Sequence, residues 1–244
     1  MLQFDLVLES LMITEDDIAT EGILDKAKDF GGKVKSGAIA AGKKIVEIFT
    51  KLKDMIANFL KAIKNKFKKG IKFKPVKDID KKYMGQAKTL AKLVTVINTE
   101  VNKTTKLLTK VDAYSDKIGA QADKLEELAN KYTEFIDKLP EDAKAVVKVN
   151  AVGNKAIFEA TLKGLEELQT NLTKVISSMD AQYRDGEQTK EEFKDAYDNA
   201  IKAAAKIVGC SNFIMELTKA ALAQVETVEE KEEDASTDSW LDLF

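Results

Sequence analysis

The sequence predicts an all-α protein: an elongated antiparallel helical bundle with coiled-coil-like long helices, an N-terminal basic amphipathic helix and a disordered acidic C-terminal tail. Three observations predict it. Breakers are scarce, with two prolines and 12 glycines among 244 residues, while strong helix formers (Ala, Lys, Glu, Leu) are abundant. Apolar residues recur at steps of four and three over most of the chain, which is the signature of helices with one buried face. Charge is segregated along the chain although the net charge is only −2.

That segregation divides the chain into four parts. Residues 1–22 form an acidic leader with six acids and no base. Residues 23–77 hold sixteen lysines against four acids. Residues 78–225 are near neutral and form the long-helix bundle. Residues 226–244 carry eight acids against Lys231 and end in Trp-Leu-Asp-Leu-Phe. Such a tail is too acidic and polar to bury a core.

Within the second part, Ile45, Phe49, Leu52, Ile56, Phe59, Ile63 and Phe67 mark one face of a helix over residues 38–69. Lys43, Lys44, Lys51, Lys53, Lys61, Lys64, Lys66, Lys68 and Lys69 fill much of the rest, giving a basic amphipathic helix. Gly70 and Pro75 end it. From Leu90 to Leu139 the four-three alternation runs without a slip through Val94, Ile97, Val101, Thr104, Leu108, Val111, Ser115, Ile118, Ala122, Leu125, Ala129, Tyr132 and Ile136. A repeat of 3.5 residues sustained this long predicts one helix that supercoils against a neighbour. Ser115 and Gly119 are its weakest helix formers, so a break is expected at 112–119, if anywhere. Pro140 stops that helix, and Pro-Glu-Asp suits the start of a third helix over 141–183. Asp185-Gly186 is a turn. Thr189 and Glu192 match a capping box that opens a fourth helix ending near Val225. Short turns predict antiparallel neighbours.

The chemistry the chain offers is narrow. It has no His, the commonest general base and metal ligand. Walker A, GxGxxG, GxSxG and HExxH motifs are absent. The carboxylate pairs Glu126/Glu127, Glu166/Glu167 and Glu191/Glu192 are neighbours in sequence, so on a helix they diverge. Cys210 is the single cysteine, flanked by Val208, Phe213 and Ile214, which suits a buried small hydrophobe. No catalytic residue, cofactor or metal is expected. The lysines suit phosphate contact, but Arg184 is the only arginine, so that contact would be non-specific. The same amphipathic helix also suits an anionic membrane surface, packing on the bundle, or pairing with the acidic leader or tail.

Ala19-Thr20-Glu21, followed by Gly22, and Ile13-Thr14-Glu15 have the pattern of a small or aliphatic residue, any residue, then Glu. With an acidic leader ahead of a lysine-rich helix, this resembles the internal head proteins of large tailed bacteriophages. The resemblance covers about the first 70 residues. It implies a capsid-targeting leader cut by a prohead protease between Glu21 and Gly22. It further implies a non-enzymatic virion protein packaged in the capsid, contacting DNA or ejected into the host, located in the virion interior or the host bacterial cytoplasm, with other virion or capsid proteins and non-specific DNA as partners. Two other readings use the same features. One is a membrane-surface or pore-type helical bundle. The other is a partner-binding inhibitor of a host factor that docks through Trp240, Leu241, Leu243 and Phe244. The long seam also suits a homo-oligomer.

Overall fold

The computed structural model describes residues 34–66, 71–73, 81–184, 192–222 and 225–227. Six α-helices carry these residues: α1 (Val34–Lys66), α2 (Lys81–Leu107), α3 (Val111–Asp137), α4 (Glu141–Val152), α5 (Lys155–Arg184) and α6 (Glu192–Leu222). Two three-residue strands, β1 (Ile71–Phe73) and β2 (Val225–Thr227), pair antiparallel. The Phe67 step of the amphipathic pattern, Gly70, Pro75, the turn at Asp185-Gly186 and Thr189 lie outside the described residues.

The all-α bundle is what the periodicity predicts, but two of the long helices are divided. The single helix predicted over 90–139 is a hairpin of α2 and α3, joined by one 3-10 turn, Leu108–Lys110. Lys124 Nζ lies 2.7 Å from Glu100 Oε1. In one straight helix these residues would stand about 36 Å apart. The seam pattern survives the fold-back: Leu90, Ile97, Val101, Leu108, Val111, Ile118, Ala122 and Leu125 are fully buried. Half of the seam therefore faces the other half across the core.

The turn holds no glycine or proline. It is closed by hydroxyls instead. Thr109 Oγ1 donates to the Lys106 carbonyl at 2.8 Å, and Ser178 of α5 donates to the Thr109 carbonyl at 2.6 Å. Carbonyls freed where a helix ends need such donors. Lys110 (φ −142°, ψ 68°) and Tyr114 (φ −128°, ψ 19°) absorb the change in direction. The break thus begins a few residues before the predicted one.

The second division falls between α4 and α5, where the sequence predicts one helix over 141–183. Gly153 ends α4, and the Asn154 side chain accepts from the Ala156 N–H at 2.9 Å. That is an N-cap, satisfying an amide the new helix leaves free. Glu141 and Asp142 open α4 behind Pro140, acids at the positive end of a helix dipole.

Helix α6 runs parallel to α3: Asn199 reaches Ser115, Lys202 reaches Asp123, Cys210 reaches Leu125, and Phe213 stacks on Tyr132 at 4.3 Å. Helix α5 runs parallel to α2, through Asn102 to Gly164 and Asn171, then Thr109 to Ser178. Because α2 and α3 are antiparallel, α5 and α6 are antiparallel too, as short connections predict. Gly164 is a site of close approach: a Cβ there would lie 1.8 Å from Asn98 Nδ2. Its missing side chain lets Asn102 Nδ2 donate to the Gly164 carbonyl at 3.0 Å.

One hydrophobic core takes residues from all six helices. Helix α1 contributes nine buried side chains, from Ile45 and Ile48 through Phe49, Leu52, Met55, Ile56, Phe59 and Leu60 to Ile63. At about 1.5–3 kcal/mol for each large apolar side chain, their burial is worth on the order of 15–25 kcal/mol before chain entropy. Helix α1 is therefore an integral wall of the bundle rather than an arm laid on it.

Candidate functional site

Because the apolar edge of α1 is consumed by the core, its lysines point outward. The solvent ridge reads Lys43, Glu47, Lys51, Asp54, Asn58 and Lys61. Glu47 lies 3.1 Å from Lys51 and 3.7 Å from Lys44. The Lys51 hydrogen bond, with Lys44 and Lys51 charge behind it, holds the Glu47 carboxyl below the usual range. Lys53 pairs with Asp54 at 3.5 Å, and Lys64 reaches Glu166 of α5 at 2.6 Å. Lys43 and Lys61 form no ion pair among the described residues. Exposed pairs of this kind are worth about 0–1 kcal/mol each, so the lysines can exchange partners cheaply. Glu47 and Asp54 nevertheless divide the ridge, so α1 alone does not offer an unbroken row of cations.

Of the other residues singled out from the sequence, Lys66 ends α1 without a described side chain. Lys68 and Lys69, the cleavage residues Ala19, Thr20, Glu21 and Gly22, and the docking residues Trp240, Leu241, Leu243 and Phe244 lie outside the described residues. The structure therefore brings together only the lysines of α1.

A second basic face emerges on α2, within the body that is near neutral when charge is summed. Residues 81–110 hold seven lysines and one acid, Glu100. Glu100 is turned inward, with 12% of its side chain exposed, and is tied to Lys124 at 2.7 Å and Lys103 at 3.6 Å. Lys88 and Lys92 share the solvent side with Thr89, Thr95, Thr99 and Val96 and have no ion pair among the described residues. Each threonine hydroxyl is spent on a carbonyl one turn back. The signal is present in the sequence as a local lysine excess, but averaging over 148 residues conceals it.

The groups with latent reactivity sit in packing roles. Cys210 is buried and its thiol donates to the Leu125 carbonyl at 3.7 Å. Burial pushes that thiol up to about 12, which keeps it protonated and inert. Tyr132 is stacked beneath Phe213, and burial, with the nearby Glu216 charge, raises its phenol well above the ordinary value. The adjacent carboxylates diverge as helix geometry requires. Glu126 meets Lys206 and Lys202 while Glu127 meets Lys131; Glu166 meets Lys64 while Glu167 meets Lys106. Glu191 lies outside the described residues. Among the described residues no group of three or more potential ligands gathers to hold a metal ion, and no helix is long and apolar enough to cross a membrane.

Comparison with family models, curated proteins and solved structures finds no match for this chain.

Proposed function

We propose that this chain is a non-enzymatic internal virion protein of the tailed-phage type, carried in the capsid with other virion proteins. In this reading residues 1–22 are the targeting leader and Glu21 is the cleavage position. The exposed lysines of α1 and α2 make non-specific contact with packaged DNA or an anionic shell surface. The observation that carries the contact is the fate of α1. Its apolar face is committed to the core, so the chemistry it has left for a partner is cationic. Lysines act on phosphate as point charges, without the planar fork that reads a base.

The same observation weighs against a membrane-surface role. Interfacial insertion needs the apolar face that α1 buries in the bundle. Exposing it would sacrifice a large share of the burial that holds the protein together, against a typical net stability of about 5–15 kcal/mol.

The deciding experiment is mass spectrometry of the native particle-borne product. A chain beginning at Gly22 is expected. Particles that contain only intact Met1 chains would refute the processing, and absence of the chain from particles would refute the virion role. Binding to duplex DNA, measured against salt, tests the contact separately.

A further inference from the structure

The β1–β2 ribbon does something that neither helix packing nor the bundle core requires. It pins residues 225–227, which lead into the acidic C-terminal segment, to residues 71–73, which follow the basic helix by four residues in sequence. The register pairs Ile71 with Thr227, Lys72 with Glu226 and Phe73 with Val225. Lysine therefore stands opposite glutamate at the centre of the ribbon. Because the pairing is antiparallel, Thr227, the last residue of β2, stands opposite Ile71, the residue of β1 nearest to α1 in sequence.

Sequence on the two sides is complementary in sign. Residues 61–77 contain eight lysines and no acid. Residues 228–244 contain seven acids and one lysine, and Glu229, Glu230, Glu232, Glu233 and Asp234 follow directly on the ribbon. Reach is also matched. Lys64 is seven residues before Ile71, and Asp234 is seven residues after Thr227. Seven extended residues span at most about 25 Å. At the end of α1, Lys61 is exposed and Lys64 is 66% exposed, held only by the half-exposed Glu166 among the described residues.

We infer that the acidic segment after Thr227 docks within its own chain on the cationic end of α1, at Lys61 and Lys64. The ribbon favours this segment over the acidic leader. It tethers residues 229–234 to β1 through a short linker, and short tethers yield millimolar effective concentrations. The docking stands on the ribbon and the charges. Its consequence rests on the DNA-contact reading: an internal polyanion occupies lysines that phosphate would otherwise neutralise, so the tail acts as a competitor that DNA must displace.

The test uses the full chain and a zero-length carboxyl-to-amine cross-linker, with peptides read by mass spectrometry. Equal parts of isotope-labelled and unlabelled protein are mixed beforehand. Cross-links from Lys61 or Lys64 to acids 229–234 are expected within single chains and should fade as salt rises. Lys110, at the tip of the α2–α3 hairpin, serves as the reference. Cross-links chiefly from acids of residues 1–22, between labelled and unlabelled chains, or in no excess over Lys110 would overturn the inference. A second variant carries Gln or Asn at Glu229, Glu230, Glu232, Glu233 and Asp234. It should lose the cross-links and bind a short DNA duplex at least about tenfold more tightly at roughly 0.15 M salt. Cross-links with no DNA binding by either form would uphold the docking and end the DNA reading. DNA binding that is the same in both forms, without the cross-links, would end the docking and spare the DNA reading.

Discussion

Replacing Asn171 with Asp should turn a pH-insensitive core contact into a pH-dependent one. Asn171 is 3% exposed, and its Nδ2 donates to Asn102 Oδ1 at 2.9 Å. The orientation of Asn102 follows from its other end, where Nδ2 faces the carbonyls of Asn98 and Gly164 at 3.1 and 3.0 Å. Its Oδ1 must therefore be the atom presented to position 171. Asn171→Asp keeps the shape and loses the donor. A protonated Asp can still donate O–H to Asn102 Oδ1. An ionised one places a buried charge against an acceptor lone pair, and both effects raise its folded pKa above the unfolded value of about 3.9. An acid with a raised folded pKa binds its proton more tightly when folded. The variant is then most stable below about pH 4 and weakens as pH rises to the folded pKa, at up to about 1.4 kcal/mol per pH unit. A rise of about three units, ordinary for a group this buried, costs about 4 kcal/mol by neutral pH. Denaturant melts of wild type and variant at half-unit steps from about pH 4 to 7 measure the difference directly. Asn171→Ala is the control and should cost about 1–3 kcal/mol at every pH, because it strands Asn102 Oδ1. A difference between Asn171→Asp and wild type that stays flat across this range would refute the buried Asn102–Asn171 bridge.

Other outcomes follow from the same geometry. Leu108→Asp buries an unpaired charge in the 3-10 turn and should cost on the order of 3 kcal/mol or more, whereas Lys106→Asp, which exchanges the exposed pair with Glu167 for an exposed like-charge contact, should cost about 1; equal melting of the two would contradict the burial of Leu108. The Cys210 thiol should resist aromatic disulfide reagents at about pH 8 in the native protein and react promptly in denaturant, because it is buried and its pKa is pushed up to about 12. Exchanging Lys43, Lys51 and Lys61 for Glu should weaken DNA binding and flatten its logarithmic salt dependence by about 0.9 for each phosphate no longer neutralised; binding selective for sequence would count against lysine-mediated contact. Glu21→Gln should block processing before Gly22 while circular dichroism and melting stay unchanged, since Gln nearly matches Glu in size and helix propensity.

Helical character, and the faces of the helices that are buried, can be read from the chain alone. The seam from Leu90 to Leu139 is chiefly a run of core residues, and so is the α1 edge from Ile45 to Ile63. Periodicity reports which side of a helix meets apolar matter, because a helix turns by a fixed angle per residue whatever it packs against. It does not report what that matter is. A 3.5-residue repeat reads the same whether the helix continues along a neighbour or folds back on itself, so the α2–α3 hairpin was invisible. The local signal was also missing: Leu108-Thr109-Lys110 holds no breaker, and its turn is completed by Ser178, a hydroxyl 69 residues away. The α4–α5 division, which the reading of one helix over 141–183 missed, does have a local signal in Gly153-Asn154, where a poor helix former precedes a capping side chain. Tertiary structure likewise decided the use of the lysines. Only packing could say that the apolar face of α1 is occupied and that Glu100 turns inward to leave α2 with a cationic surface. Only the pairing of residues 71–73 with 225–227 could set Lys72 opposite Glu226, 154 residues away in sequence. Contacts between residues far apart in sequence depend on the volume and polarity of both partners, and no local pattern in either one contains that information.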